Sequence, residues 1–451
     1  MIRVLVAFVV IAVLAVLAVW VADQAGTVTV TAGGWQIETS VGVAFGLLIV
    51  LVLVLLLLDR IWVAIRGAPH AFGRRRKAHR LDHGYHAVAR GMAALAAGDS
   101  RDALALAERA QRLLPDEDGL AGLLAAQAAH QAGKDEDAEA RFRAMLDNPD
   151  TRFVGLRGLT VIAYRAGRRQ EAIETAERAH RLRPNAPWPV RALLYLQIAE
   201  RRWADALATV QSGLKHGILD KEEARRKRAV LNMAMARAAE EEGAGDEALK
   251  RAEEALKLAP ELVPAAALVA ELQHGRGKTR RAVQALETAW RAVPHPSLTA
   301  AWLAVHGADA PEKLKSQAEA FAAYHPGDDE AQLLLAQAAL RGGDAAAAKA
   351  ALEKVQHPTR RVVRLQAAAE EAAGTDPEEV RRLLERAAAP PPLGPPPDPV
   401  WTCGDCGRES AEWHAVCPSC GAFDTMGWGV PKGPMPQIQS RPVTELGTPL
   451  S

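Results

Sequence analysis

The sequence predicts an all-α chain: two transmembrane helices, then an α-solenoid of stacked helix pairs, then a small four-cysteine module near the C-terminal end. Three observations carry this expectation. Two runs of eighteen residues, Val4–Val21 and Val41–Leu58, hold no charge. A pattern of small and branched apolar residues returns about every 34 positions. All four cysteines fall in two C-x-x-C pairs between Cys403 and Cys420. The expected boundaries are a two-span anchor with a short external hairpin at 1–62 and a basic juxtamembrane segment at 63–82. They continue with a helical array at 83–389, a Pro-rich linker at 390–400, the cysteine module at 401–428 and a disordered tail at 429–451.

At ~1.5 Å of rise per residue, each apolar run spans about 27 Å, close to a hydrocarbon core of ~30 Å. Trp20, Trp35 and Trp62 lie near the ends of the runs, where indole rings favour the interface. A cleaved signal peptide is the other reading of the first run. That run is longer than the apolar region of such a peptide, and only Arg3 precedes it. Arg60, Arg66, Arg74, Arg75, Arg76, Lys77 and Arg80 follow the second run, while the loop between the runs holds Asp23 and Glu38 and neither Lys nor Arg. The positive-inside rule then puts the bulk of the chain in the cytoplasm and a short loop outside. That loop reads Thr27-Val28-Thr29-Val30-Thr31 before Gly33-Gly34, the alternation and turn of a β-hairpin. The basic cluster has a second possible role in touching anionic lipid, but setting topology already accounts for it.

The array is read from anchors in register. A small residue followed by a branched apolar one recurs at Ala103-Leu104, Ala172-Ile173, Ala206-Leu207, Ala248-Leu249 and Ala282-Val283, in steps of 69, 34, 42 and 34; Ala138 divides the first step into 35 and 34. Ala107 and Ala110, Ala176 and Ala179, and Ala252 and Ala255 follow at four and seven residues, on the same helix face. Small side chains there let a helix press against its neighbours. Gly98, Gly133, Gly167, Gly243 and Gly277 precede their anchors by five and mark the turn inside each pair; Pro115, Pro184, Pro260 and Pro294 follow by twelve and stop the second helix. The Ala138 unit is looser, with Pro149 one place early. The Ala206 unit has no proline and leads into a charged insertion, Lys221–Arg228. Later units are degenerate, although Pro326 and Pro358 keep a spacing near 32. This period and spacing resemble the tetratricopeptide repeat, without its aromatic positions in the first helix. Such arrays offer a groove for a peptide or partner helix, with a plain spacer as the simpler alternative.

Residues 389–399, APPPLGPPPDP, read as a semi-rigid polyproline spacer. Beyond it, Cys403, Cys406, Cys417 and Cys420 form two knuckles, each with a glycine after its second cysteine. Such a segment is too short for a hydrophobic core of its own, so bound metal would supply its folding free energy. In a reducing compartment four thiolates predict structural zinc, with rubredoxin-type iron as the rival. A closed four-cysteine site leaves no open position for catalysis. Trp413 and His414 lie between the pairs and are candidates to pack over the site. Cys417-Pro418 also matches a dipeptide of haem-sensing proteins, but the knuckle explains it. His79, His83 and His86 share a helix face, where a solvated surface is the plainer reading than a metal or haem site. His180 and His325 fall near helix ends and read as structural.

Beyond these patterns the chain resembles a known family. Gly34-Trp35-Gln36-Ile37-Glu38-Thr39-Ser40 before the second span, Ala125-Ala126-Gln127-Ala128-Ala129 before Gly133, and Thr151 with Gly155-Leu156-Arg157-Gly158-Leu159 look like the N-terminal domain of the HemY family, over roughly residues 25 to 215. The cysteine module followed by Gly421-Ala422-Phe423-Asp424-Thr425 resembles the C-terminal extension of its alphaproteobacterial members. The resemblance implies a bacterial inner-membrane, tetratricopeptide-repeat protein associated with late protohaem and porphyrin synthesis. The architecture is also similar to lipopolysaccharide assembly protein B, an adaptor that controls a protease.

The function classes narrow accordingly. A net charge of +1 gives no sign of nucleic acid binding, and no G-x-G-x-x-G follows a strand, so a flavin oxidase fits poorly. No Ser/His/Asp or paired-carboxylate constellation stands out, and the expectation is a protein without enzymatic activity. The leading reading is a membrane-bound interaction scaffold that gathers haem-pathway enzymes through the repeat groove. The alternatives are an adaptor for a membrane protease or envelope assembly machine, and a haem or porphyrin carrier. The sequence names neither the lining of the groove nor any self-association.

Overall fold

The computed structural model describes residues 26–114, 118–307 and 309–430, together with Val13, Val16, Val19 and Trp20. The chain divides into two units, Met1–Leu124 and Ala125–Ser451.

In the first unit, β1 (Thr27–Ala32) and β2 (Trp35–Ser40) pair antiparallel through a two-residue turn at Gly33 and Gly34, with φ of +59° and +89°. Both residues sit where only glycine is at ease, as a hairpin twisted with its strands requires. Ser40 then caps a helix of 56 residues, Val41–Ala96, and its hydroxyl accepts from the Val43 N–H at 3.5 Å. Of the two spans read from the sequence, the described residues supply one. Val41–Trp62 has 22 residues of mean hydropathy 3.3, and none of the apolar stretch is buried. The run Val4–Val21 lies outside the described residues except for a few positions. Two spans is therefore corrected to one helix, among the described residues, long and apolar enough to cross a bilayer. That helix does not stop where charge begins. It continues through the basic segment into the first repeat, because charge ends a membrane span but not a helix. There Gly84 and Gly91 let the Ser100–Leu113 helix and the chain after it approach: a Cβ on Gly84 would lie 2.5 Å from Leu114, and one on Gly91 2.6 Å from Leu124.

The second unit is built mainly of helix pairs, in chain order Pro149–Arg165 with Arg169–Leu182, Pro187–Ala199 with Trp203–Lys215, Lys221–Glu241 with Gly245–Leu258, and Val263–Gly275 with Thr279–Ala292. Three further pairs follow where the sequence pattern fades: Pro296–Val305 with Pro311–Ala322, Asp329–Arg341 with Ala345–Leu352, and Arg360–Ala372 with Pro377–Ala388. Each pair packs on the next, and the first helices from Val263–Gly275 to Arg360–Ala372 also touch one another in turn and form a first-helix face. The anchor alanines are at the centre of this packing: Ala172, Ala176, Ala179, Ala248, Ala252 and Ala255 are all 0% exposed. The charged stretch Lys221–Arg228 is not an insertion between units but the opening turns of a long first helix.

Most turns inside the pairs rest on one left-handed residue. Gly167, Gly243 and Gly277 adopt φ of +72° to +74°. In the Ala206 unit the equivalent place, five residues before the anchor, is Arg201, which takes φ +54° with a full side chain. Further along, Trp290 and Trp302 are fully buried on either side of Phe321, with ring centroids 4.7 and 5.6 Å from it. These large rings pack within the main apolar core of the array.

Candidate metal centre and the repeat face it covers

The C-terminal module is a three-stranded antiparallel sheet with β3 (Val400–Cys403) between β4 (Glu409–Ser410) and β5 (Met426–Gly429). Two tight turns carry the cysteines. The Gly407 N–H donates to the Cys403 carbonyl and the Gly421 N–H to the Cys417 carbonyl, both at 2.9 Å. Both glycines are left-handed, with φ of +71° and +73°, which a side chain would oppose. The turns bring the four sulfurs together within 4.8 Å of one another. Cys403 Sγ lies 3.7 Å from Cys420 Sγ, and Cys406 Sγ 3.7 Å from Cys417 Sγ. Four thiolates at ~2.3 Å from a tetrahedral ion would stand about 3.8 Å apart. The set therefore fits an ion of that kind without rearrangement.

Electrostatics fit the same use. Burial opposes ionisation of Cys403, yet hydrogen bonds from Thr425 Oγ1, 3.2 Å away, and from the Cys406 and Asp405 backbone outweigh it and bring the thiol down to about 7. Burial pushes the Cys417 thiol up, and burial with the neighbouring sulfurs does the same to Cys420. A bound cation would reverse that balance and displace those protons. Among the described residues the four cysteines are the one group of three or more His, Cys, Asp or Glu close enough to hold an ion. His79, His83 and His86 stay exposed, with the first two rings 6.4 Å apart and His86 beside Asp82. His180 Nε2 and His325 Nε2 bond to Ser212 Oγ and the Trp290 carbonyl, which fits structural roles.

The module is not held away by its proline tract. The linker folds back on the Arg360–Ala372 helix: Asp398 accepts from the Arg361 N–H and from Arg364 Nη2, both at 2.6 Å, and the Pro396 carbonyl accepts from the Arg360 N–H. Asp398 thereby caps a helix whose own Thr359 makes no side-chain cap. The expected spacer is thus a seated strap, because its aspartate and carbonyls find the free N–H groups at a helix start.

Past the strap, the module lies on the first-helix face. Arg226 donates to both carboxylate oxygens of Asp424, at 2.7 and 2.9 Å. Val416 and Phe423 pack on an apolar cluster that includes Val190, Leu194, Ile198, Val210 and Leu231. Trp413 touches the cysteine cluster on one side and the main array core on the other. His295 is 1% exposed, with its ring 4.2 Å from that of Trp428 and 5.3 Å from that of Trp401. Its Nδ1 accepts from the Ser297 N–H at 3.0 Å and caps the Pro296–Val305 helix; its buried Nε2 has no partner. Burial, helped by the nearby Arg361 charge, pulls this imidazole down to about 4. His414, by contrast, turns to Ser410 Oγ rather than over the sulfurs. Between module and helices remains a cleft of about 940 Å³, with Val263, Trp203 and Trp413 among its apolar walls and Arg237, Glu241 and His414 among its polar ones. Sequence reasoning missed His295 and Arg226. The one local signal was His295 between Pro294 and Pro296, where a polar residue before a helix start is a cap candidate.

Fold and site together define a class: a stack of helix pairs carrying a four-cysteine ribbon, in a chain that also holds one helix apolar enough to span a membrane. Residues 26–133 match the family described as the HemY protein N-terminus. Comparison with curated proteins finds no match. Among solved structures, the chain is similar to a tetratricopeptide repeat protein from Parabacteroides merdae ATCC 43184 (14% identity, 68% of this chain and 100% of that one, TM-score 0.31). It is also similar to the TPR2AB domain of yeast Sti1 in its pHSP90 complex (15% identity, 68% of this chain and 98% of that one, TM-score 0.29).

Proposed function

We propose that this protein is a non-enzymatic scaffold of a bacterial inner membrane, which gathers proteins of late haem synthesis on its repeat array. The array and ribbon face the cytoplasm in this reading. The excess of Arg and Lys after Leu58 supports that orientation. Cys403, Cys406, Cys417 and Cys420 hold structural zinc. The reducing compartment disfavours disulfides, zinc is the ordinary occupant of a closed four-thiolate site, and four protein ligands leave no position for a substrate.

The observation that carries the reading is the 940 Å³ cleft on the first-helix face, lined by both apolar and charged side chains. Clefts of this size and lining take up a partner's side chains or a short peptide. The haem connection rests on the resemblance to the HemY family, which the match at residues 26–133 supports. The test is a photo-crosslinking amino acid at Arg237 in intact membranes, followed by mass spectrometry. Capture of a haem-pathway enzyme such as ferrochelatase is expected. Capture of a protease or an envelope assembly protein instead would replace the reading with an adaptor role.

A further inference from the structure

We infer that metal retention by the ribbon and its seating on the array are one coupled event, so that metal release uncovers the first-helix face. This rests on the metal reading of the four cysteines.

The ribbon has almost no interior. Its buried cluster is Cys403, Cys417 and Met426. Its other large apolar side chains serve the array instead. Val416 and Phe423 sit on the cluster around Val190 and Leu231, Trp413 packs on the main core, and Trp401 and Trp428 hold the His295 ring. These five residues come from separate stretches of the ribbon. Short pairings join Trp401 to Trp428 and Val416 to Phe423, and strands this short need the cross-link between the two cysteine knuckles to hold. Without the cross-link, each stretch would have to be ordered on the array alone, at the full entropic cost of a short free peptide. Metal therefore favours seating. Linkage is reciprocal, so seating must favour metal by the same factor. Contacts on the array, remote in sequence from the sulfurs, then become determinants of metal affinity. Arg226 is the sharpest case, because its two bonds to Asp424 join segments 198 residues apart.

The experiment uses the full chain in detergent, loaded with zinc and titrated with a chromogenic chelator. Arg226→Ala should release zinc at about tenfold lower chelator concentration, the weight of one charge-assisted bidentate pair. Phe423→Ala, which leaves every charge in place, should act in the same direction. Arg225→Ala is the control: Arg225 pairs with Glu222 on the outer surface and should leave retention unchanged. Hydrogen exchange on the stripped chain should show loss of protection both in residues 400–429 and around Val190–Leu231, restored by zinc. Zinc retention equal to the unaltered chain in both Arg226→Ala and Phe423→Ala overturns the coupling. So does a stripped chain whose array keeps its protection. A purified chain that takes up no metal overturns the underlying metal reading instead.

Discussion

His295 makes the ribbon's seat sensitive to acid, and the size of the effect follows from its surroundings. In the folded chain its ring lies between Trp401 and Trp428 of the ribbon, with Ser297 on its own helix and the Arg361 guanidinium from a later helix. The Ser297 N–H fixes the proton on Nε2, and neither burial nor Arg361 tolerates a second one, so the imidazole falls from 6.5 to about 4. The unfolded chain meets no such resistance and takes up a proton near 6.5. Stability is therefore full above pH 6.5, falls as the pH drops toward 4, and levels off below that. At ~1.36 kcal/mol for each step of one in pH, the gap is worth about 3 kcal/mol. His295→Asn should separate this from other acid effects. Asparagine can still cap the helix through its side-chain oxygen, but it does not titrate. At pH 7.5 the variant should be less stable by about 1–3 kcal/mol for the lost ring packing. That deficit should shrink, or change sign, by pH 4.5. The assay is urea unfolding followed by tryptophan fluorescence at several pH values, read as the difference between the two proteins. Zinc release is followed in parallel with a chromogenic chelator, and the two proteins are compared only at pH values where both keep the metal. A difference that stays constant from pH 7.5 to 4.5 would refute the reasoning.

Two further outcomes follow from backbone features. Arg201→Gly should stabilise the array: it relieves ~1–2 kcal/mol of left-handed strain and gives back ~0.5–1 kcal/mol in unfolded-chain entropy. The melting temperature should rise by a degree or more, and a clear fall would count against the turn assignment. Asp398→Ala should strip the cap from the Arg360–Ala372 helix, cost about 1–2 kcal/mol, and raise protease cleavage within residues 390–400, which mass mapping would detect.

Much of this fold could be read from spacing. The period near 34, the turn glycines and the two C-x-x-C pairs are local signals, because each follows from the geometry of a few neighbouring residues. Arg201 escaped that reading, since a non-glycine in the left-handed region leaves no mark in sequence. The pair Pro296–Val305 with Pro311–Ala322 escaped because Gly307 at its turn is not left-handed and so gives none of the earlier signal. The seating of the ribbon was out of reach altogether. Asp424 and Arg226 are ordinary charged residues until folding makes them neighbours, and a proline tract with one aspartate looks the same as a spacer or as a strap. The long helix from Val41 to Ala96 was divided in the reading because hydropathy changes sharply at Asp59 and Arg60 while helical structure does not.

The measurement that bears most directly on the account is a crosslink from inside the ribbon. A photoreactive phenylalanine analogue in place of Phe423, in the full chain loaded with zinc, should react within its own chain with residues in the stretch from Val190 to Leu231. Crosslinks only to other molecules, or only within residues 400–430, would show that the ribbon does not rest on the array.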